Sequence, residues 1–439
     1  MFRYYLLLGL RSLRRNPALT TLMILTLAIG VAASVATLTI LHVMSGDPIP
    51  HKSDRLFVPL IDIAQLRGYV PGEKEPYNTQ TSYTDAVNYL RSGQGVRRTV
   101  LYEITGSVEP PRREDPVVEL EGIAATADFF PMFEVPFRYG QGWSAAEDER
   151  AARVVVLSRA RADTLFGEGD PVGKRLRMWG SEFTVVGVVD NWNPVPRYTN
   201  LINGSGGYFR GENQVYVPFR TAVDHEQRSH GSTTCNRDSG VGYKGFLASD
   251  CIWITAWFEL ASASDRAGLK AWLDGYAAEQ RRLGRIERPT PTRLFNVMEW
   301  MGFLEVVRPD NKLAVWLSFG FLLLCIVNTM GLLLAKFSTR AAEVGVRRAL
   351  GAGQGAIFRQ FLTETAVVGL AGGFLGLVLA FASLALIRQQ SRDLSAVAHM
   401  DWKMLAATFV IAVGAAVVAG LLPTWRACQV SPALQLKSQ

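Results

Sequence analysis

The stretch KFSTRAAEVGVRRALGAGQGAIFRQFLTETAVVGLAGGFLG, residues 336–376, places a charged segment rich in small residues directly before a long apolar run. Another apolar run, residues 313–335, ends where this stretch begins. The polar part is predicted to lie on the cytoplasmic side of a membrane, because short loops rich in Lys and Arg stay inside. A short, helical, exposed loop at that place is expected to be a docking surface. Its basic residues are Lys336, Arg340, Arg347, Arg348 and Arg359.

Four long runs of the chain contain no Asp, Glu, Lys or Arg. They are residues 16–46, 313–335, 365–387 and 404–425. Each exceeds the roughly 20 residues with which a helix crosses a bilayer core, so we predict four transmembrane helices. The first run could instead be a secretory signal peptide cleaved near Ala32 or Ala36. It stays apolar to Met44, however, and the apolar core of a signal peptide has only roughly 7 to 15 residues. At about 1.5 Å per residue, its helix would outreach a core of about 30 Å and end in a stalk.

The net charge of +7 indicates topology rather than nucleic-acid binding. Residues 45–312 hold 32 basic and 35 acidic residues, whereas residues 1–15, 336–363 and 426–439 together hold 11 basic residues and one acid. Because basic residues accumulate in cytoplasmic segments, both termini and residues 336–363 are predicted to lie inside, and residues 45–312 outside. We predict no nucleic-acid partner.

The segment 45–312 is far too long for a loop and is predicted to be an extracytoplasmic α+β domain. Strand-like apolar runs occur beside helical patterns with three- and four-residue spacing. The predicted strands are 55–63, 99–108, 117–123, 153–157, 183–189, 214–218 and 252–260, and the predicted helices are 83–90, 159–166 and 265–283. Residues 290–312 are expected to form a second stalk helix. Cys235 and Cys251 are predicted to form a disulfide, because they lie in an oxidising compartment and close a short polar loop.

Two patterns in this domain resemble catalytic motifs, and neither fits. His225, Glu226 and His230 resemble a zinc-protease signature, but the histidines are five residues apart rather than four and share no helix face. Residues 168–175, EGDPVGKR, resemble a phosphate-binding loop but carry Glu in place of the first Gly and Arg in place of the Ser or Thr that reaches magnesium. We therefore predict no catalytic residues, no metal site and no cofactor bound by this chain.

Glycines recur at four-residue spacing in the third apolar run. Gly369 with Gly373, and Gly372 with Gly376, form two overlapping Gly-x-x-x-Gly patterns, which let membrane helices approach closely. The runs carry few polar residues, so no hydrophilic path is evident. Glu364 lies at the cytoplasmic edge, where an ionised group is costly unless it is paired. We expect it to pair with a nearby Arg, and a role in transmitting motion is the alternative.

Several stretches together resemble the MacB-type permeases of the FtsX family of ABC transporters. RAAEVGVRRALGA (340–352) followed by FLTE (361–364) resembles the segment after that family's second membrane helix. LRSLRRNPALTTLMILTLAIGVAA (10–33) is similar to its entry helix and first membrane helix. VLSRARADTLFGEGDPVGKRLRMWGSEFTVVGVV (156–189) is similar to its periplasmic domain, and PTWRACQVSPALQLK (423–437) to its cytoplasmic tail.

The resemblance implies a complete arrangement for the chain. It comprises a cytoplasmic amphipathic entry helix (1–17), a first membrane helix (18–44), a MacB-like periplasmic α+β domain with stalk helices (45–312), a second membrane helix (313–335), a cytoplasmic coupling segment (336–363), a third membrane helix (364–387), a short periplasmic loop (388–403), a fourth membrane helix (404–425) and a cytoplasmic tail (426–439). The localisation is then the bacterial inner membrane. The residues expected to couple to an ATPase are Arg340, Glu343, Arg347, Arg348, Gly351 and Ala352.

The resemblance also implies partners and a mechanism. Such permeases act as dimers, either homodimers or heterodimers with a related permease, and two ABC ATPase subunits bind the ATP and Mg²⁺. Because this chain begins about 15 residues before its first membrane helix, the ATPase is expected on a separate chain. Family members work by mechanotransmission, in which closure of the ATPases moves the stalk helices and the periplasmic domains.

Three functions remain open from the sequence. The first is export of peptides, antibiotics or other amphiphiles through a periplasmic adaptor and a TolC-like outer-membrane channel. The second is a transducer that switches a periplasmic cell-wall hydrolase or a sensor. The third is release of lipoproteins from the outer leaflet.

Overall fold

A computed structural model of the chain describes residues 16–71, 79–109, 117–202, 207–209, 211–390 and 400–428. It divides into two compact units, one of Gly46–Val306 and the other of Met1–Ser45 with Val307–Gln439. Residues 1–15 of the predicted entry helix lie outside the described residues. So do residues 391–399 of the predicted periplasmic loop and residues 429–439 of the predicted tail.

The first unit is built on one sheet, which has eleven strands among the described residues. The strands are β1 (Leu56–Leu60), β2 (Thr81–Ser82), β3 (Arg97–Glu109), β4 (Val118–Ala125), β5 (Phe137–Gly140), β6 (Val154–Ser158), β7 (Arg175–Met178), β8 (Ser181–Val189), β9 (Val215–Pro218), β10 (Ile252–Glu259) and β11 (Arg293–Asn296). Their order is β11-β1-β10-β3-β4-β9-β6-β8-β5, with β2 on β10 and β7 on β3 and β8. The pairs β4 with β9 and β6 with β8 are parallel, and the other pairs are antiparallel.

Helices cover this sheet. The first helix of the chain, α1 (Pro17–Ser45), belongs to the other unit. The helices of Gly46–Val306 are α2 (Tyr83–Arg91), α3 (Phe129–Met132), α4 (Ala145–Glu149), α5 (Arg159–Phe166), α6 (Phe219–Asp224), α7 (Gly242–Ala248), α8 (Arg266–Arg282) and α9 (Val297–Phe303). Polar residues cap the N-termini of several of these helices, because their side chains accept hydrogen bonds from the free N–H groups of the first turn. Ser82 caps α2, Ser144 and Glu147 form a capping box on α4, and Asn296 and Glu299 do so on α9.

Every residue of β10 is buried, which makes this strand the centre of the core. The strands β1 and β3 pair with its two edges, and the burial of all its residues shows that both of its faces are covered, which explains its almost uninterrupted apolar sequence. Trp253 packs edge-on against Tyr102 with ring centroids 4.6 Å apart, and Phe258 lies 5.7 Å from Tyr89. The α+β class predicted for this segment is confirmed.

The second unit consists of long apolar helices. They are α1 (Pro17–Ser45), α10 (Pro309–Ser338), α12 (Gln354–Gln390) and α13 (Trp402–Cys428), together with the short helix α11 (Ala341–Ala349). The four long helices have the length and composition to cross a membrane, as predicted. Polar groups join α1 to α10, since Ser34 Oγ donates to Ser318 O at 3.0 Å and Thr37 Oγ1 lies 2.8 Å from Ser318 Oγ.

The structure differs from the sequence-based boundaries in two places. Residues 290–312 do not form one stalk helix, because β11 pairs with β1 and α9 follows it. Glu305 has a φ of 50°, and α10 starts only at Pro309, whose fixed φ suits the first position of a helix. Residues 354–363 of the predicted coupling segment are helical and continuous with the third long helix, Gln354–Gln390.

Candidate coupling site

The predicted coupling residues lie on and around the short helix α11, between α10 and α12. Arg340 O accepts from Val344 N at 3.1 Å, so Arg340 forms the start of the helix. The helix ends at Gly351, whose φ of +99° belongs to a region that residues with a Cβ rarely adopt. Ala352 N donates to Arg347 O at 3.0 Å, which closes this end. The backbone of Arg348 belongs to α11, and its side chain lies outside what the structure describes.

A buried cluster of three charges joins the end of α10 to α12. Lys336 Nζ lies 2.6 Å from Glu364 Oε1, and Arg340 Nη1 lies 3.0 Å from Glu364 Oε2. Lys336 is 0 % exposed and Glu364 is 2 % exposed. Burying charges is costly, and the cost is met only when opposite charges are close together. Glu364 is therefore the carboxylate that allows two cations to lie at this helix junction.

A second polar link joins α11 to the start of α12. Arg347 Nη2 donates to Glu343 Oε1 at 2.6 Å, one turn earlier on the same helix. Its Nη1 donates to Gln360 Oε1 at 3.0 Å. Arg347 is only half exposed, because both ends of its guanidinium group are engaged. The structure thus brings Arg340, Glu343 and Arg347 together with Gln360 and Glu364 on α12.

The two faces of α11 differ in what they contact. On one face, Val344 packs against a buried apolar cluster that includes Phe337 and Phe361, whose ring centroids are 4.3 Å apart. On the other side, Val346 is 57 % exposed and Leu350 is 82 % exposed. Exposed apolar side chains beside charged ones are typical of protein–protein contact sites. This arrangement leaves an apolar surface available to a partner.

The glycines of α12 face two different helices. A Cβ added at Gly369 would overlap Ala416 Cβ, and one at Gly373 would lie 2.8 Å from Ala412 Cβ, both on α13. A Cβ added at Gly372 or Gly376 would instead meet α1 at 3.0 Å. The two Gly-x-x-x-Gly patterns therefore allow α12 to approach α13 and α1 on separate faces.

Replacing Gly369 with Ala should lower the free energy of unfolding by about 1 to 2 kcal/mol. Overpacking costs about 1 to 3 kcal/mol, and the higher helix propensity of Ala returns up to about 1 kcal/mol. Gly414→Ala on α13 is the matched control, because its added Cβ meets nothing within 4 Å. SDS-driven unfolding in micelles measures both variants. Equal stability of the two variants would show that Gly369 is not a contact point between helices.

Cys235 and Cys251 form a disulfide in the structure. The bond lies at the start of β10, where Thr234 and Ile252 exchange two backbone hydrogen bonds at 3.0 and 2.8 Å. It joins residues that are 16 positions apart in the sequence, and the loop between them contains α7. A short covalent loop of this kind restricts the unfolded chain and keeps α7 next to the sheet.

The two motif-like patterns lie in ordinary structural contexts. His225 follows the end of α6, and His230 N donates to Glu103 O on β3 at 2.9 Å. Across the described residues, no three His, Cys, Asp or Glu side chains come together as metal ligands. Residues 168–174 lie in the turn between α5 and β7, in which Gly169 and Gly173 have positive φ, and Arg175 is the first residue of β7.

Sequence reasoning missed three features of the coupling site. The basic charge of Lys336 indicated only the cytoplasmic side of the membrane, although Lys336 pairs with Glu364. Gln360 gave no signal, because a polar residue near a membrane surface is unremarkable. The apolar exposure of Leu350 could have been inferred from the helical spacing of Val346 and Leu350, which places both on one face four residues apart.

Comparisons with protein families match both units of the chain. Residues 20–274 match the family described as the MacB-like periplasmic core domain, and residues 315–432 match the FtsX-like permease C-terminal family. The chain is also similar to the crystal structure of the periplasmic region of MacB from Actinobacillus actinomycetemcomitans, at 13 % identity. The TM-score is 0.36, covering 58 % of this chain and 95 % of that one.

Curated relatives have related names. The macrolide export ATP-binding/permease protein MacB of Marinobacter nauticus is 25 % identical over 98 % of this chain and 60 % of its own length. The uncharacterized ABC transporter permease YvrN of Bacillus subtilis is 24 % identical over 82 % of each chain. This chain thus spans about 60 % of the length of the MacB relatives that it matches. Because the periplasmic core domain match alone covers more than half of the residues, the chain belongs to the MacB/FtsX-type ABC transporter permeases.

Proposed function

We propose that the chain is the permease subunit of an ABC exporter whose ATPase is a separate chain docked on α11. The observation that carries the proposal is the two-sided character of this helix. One side is fixed to α10 and α12, whereas Val346 and Leu350 are exposed on the other. Two ATPase subunits would bind ATP and Mg²⁺, and this chain would receive the resulting motion.

The contacts around α11 provide a route for that motion. A displacement of α11 would act on α12 through Arg347 and Gln360, and on both α10 and α12 through Glu364. The glycine faces of α12 would pass the displacement to α1 and α13. The helices α1 and α10 are the two that the chain joins directly to residues 46–306. We infer mechanotransmission to the periplasmic domain, because rigid helices in close contact move together.

The names of the relatives support export as the outcome. MacB of Marinobacter nauticus is named for macrolide export, and PvdT of Pseudomonas savastanoi, 25 % identical over 71 % of this chain and 42 % of its own length, is named for pyoverdine export. We propose that this chain works as a dimer in the bacterial inner membrane, with both termini in the cytoplasm. It would move peptides, antibiotics or other amphiphiles through a periplasmic adaptor and a TolC-like outer-membrane channel.

Affinity purification after cross-linking in intact cells tests the export assignment. The tagged full-length chain should recover an adaptor and an outer-membrane channel together with an ABC ATPase. A chain with Leu350→Glu should keep the periplasmic partners and lose the ATPase, because a buried carboxylate opposes docking. Recovery of a cell-wall hydrolase without adaptor and channel would contradict export and favour the transducer function.

A further inference from the structure

A polar side chain lies on the exposed face of α10. Asn328 is exposed, and its side-chain amide makes no hydrogen bond to the described residues. Two other polar groups of the helix are satisfied locally, since Thr329 Oγ1 donates to Cys325 O and Ser318 Oγ donates to Val315 O, both at 2.8 Å. Hydrogen bonds to the Asn328 amide therefore have to come from outside the described chain.

Asn328 lies deep in the apolar part of α10. The run without charged residues extends over 313–335, between Lys312 and Lys336. At about 1.5 Å per residue, Asn328 is about 12 Å from Lys336 along the helix axis, and a bilayer core is about 30 Å thick. So short a side chain cannot reach water from this depth. An amide without hydrogen-bond partners in hydrocarbon is costly, which predicts a polar partner at the same depth.

Asn328 belongs to a regular row of residues on α10, which we call the seam. Its six members follow one another at alternating spacings of four and three residues, and all six are exposed. This spacing places the side chains in one nearly straight line, the pattern with which two helices pack as a left-handed coiled coil. The buried residues of α10 lie on its other side, where the helix packs against α1 and α13. The seam consists of Leu317, Phe321, Leu324, Asn328, Gly331 and Ala335.

The composition of the seam fits the same helix of a second copy. Copies of one chain enter the membrane in the same direction, so two α10 helices are parallel and each seam residue faces its counterpart. A carboxamide has both donors and an acceptor, so two Asn328 side chains across a twofold axis can bond to each other. A lipid tail offers neither group. The other seam residues are apolar or small, and a Cβ added at Gly331 would meet nothing within 4 Å. This face therefore has room for a helix and no further polar lining for a hydrophilic substrate.

We propose that the seam is the surface on which two copies of this chain pair, with the two Asn328 amides hydrogen-bonded to each other in the membrane. The inference rests on the proposed function, because it names the contact surface of the dimer proposed there. Asn328 occupies one of the two core positions of the seven-residue repeat, and a single Asn there fixes the register and favours a pair of helices. The two α10 helices can then tilt against each other but do not slide.

Cysteine cross-linking in membrane vesicles tests the surface. Replacing Cys325 and Cys428 with Ala leaves an introduced cysteine as the free thiol, because Cys235 and Cys251 form a disulfide. Leu324→Cys, on the seam, should form a covalent dimer of the full-length chain on oxidation with copper phenanthroline, since a disulfide needs Cβ atoms about 4 Å apart. Leu323→Cys is the matched control off the seam, because Leu323 is 59 % and Leu324 62 % exposed. The control should stay monomeric on the denaturing gel.

The role of the amide is tested by energy transfer between donor- and acceptor-labelled full-length chains in liposomes. Asn328→Leu should raise the dissociation constant of the dimer about tenfold, the effect of losing hydrogen bonds between membrane helices. Asn328→Gln keeps the amide and should weaken the dimer less than Asn328→Leu does. Leu323→Ala should leave the constant unchanged. Because the Asn328 amide makes no hydrogen bond to the described residues, these variants should fold as the unchanged chain does.

The outcomes separate this inference from the proposed coupling. Equal cross-linking of Leu323→Cys and Leu324→Cys, a cross-link from Leu324→Cys to a different protein, or unchanged pairing in Asn328→Leu would overturn the seam. If the seam is wrong and the coupling is right, Leu350→Glu still abolishes ATPase stimulation. If the coupling is wrong and the seam is right, Leu324→Cys still forms the covalent dimer while Leu350→Glu stimulates hydrolysis normally.

Discussion

Replacing Glu364 with Gln should lower the free energy of unfolding of the full-length chain by about 3 to 5 kcal/mol. The side chain keeps its shape but loses its charge, so Lys336, which is 0 % exposed, and Arg340 lose the carboxylate that they contact at 2.6 and 3.0 Å. The cost arises because a buried charge without an opposite charge has lost its hydration and gained nothing in return. SDS-driven unfolding in micelles, followed by circular dichroism, measures the change.

A double variant separates this electrostatic effect from simple damage to packing. Lys336→Met combined with Glu364→Gln removes both fully buried charges and keeps side chains of similar length. Replacing a buried ion pair by uncharged groups is often neutral, so the double variant should recover most of the lost stability. If Glu364→Gln is as stable as the unchanged chain, the three-charge cluster does not hold the junction of α10 and α12.

The sequence predicted the main elements of the fold because long periodic segments leave a clear pattern. All seven predicted strands are present, from β1 to β10, and α2, α5 and α8 lie within one or two residues of their predicted ends. The strands that were missed are β2, β5, β7 and β11, which have only two to four residues. Two to four residues are too few to show an alternation of apolar and polar side chains. These strands form because a neighbouring strand provides backbone hydrogen-bond partners.

Among the contacts around α11, the predicted pairing of Glu364 with an arginine is confirmed, because Arg340 Nη1 lies 3.0 Å from Glu364 Oε2, whereas the other contacts were not predicted. Arg340, Glu343 and Arg347 were identified from a family resemblance, and the glycines of α12 from their four-residue spacing. The spacing could not show that Gly369 faces α13 whereas Gly372 faces α1, because that depends on where three helices cross. The pairing of Lys336 with Glu364 likewise joins residues 28 positions apart on two helices. Such contacts are set by tertiary packing, which local patterns do not encode.

Charge reversal on α11 should remove the stimulation of the partner ATPase by the permease. Arg347→Glu with Arg348→Glu places negative charge beside the apolar surface and breaks the link from Arg347 to Gln360. Leu350→Glu tests the surface itself, since this side chain is 82 % exposed and its replacement should disturb little within the chain. Central contact residues of an interface contribute about 2 kcal/mol or more, so each variant should lose stimulation at least about tenfold. Membrane insertion should be unchanged in both.

The central claim is that energy enters this permease through α11, and one measurement tests it directly. The ABC ATPase recovered with the chain is assayed for ATP hydrolysis alone and with the permease in nanodiscs. The unchanged chain and the control Leu283→Glu, at an exposed apolar residue of the other unit, should stimulate hydrolysis equally, and Leu350→Glu should not stimulate it. If Leu350→Glu stimulates hydrolysis as well as the unchanged chain, α11 is not the docking surface and the proposed mechanism is wrong.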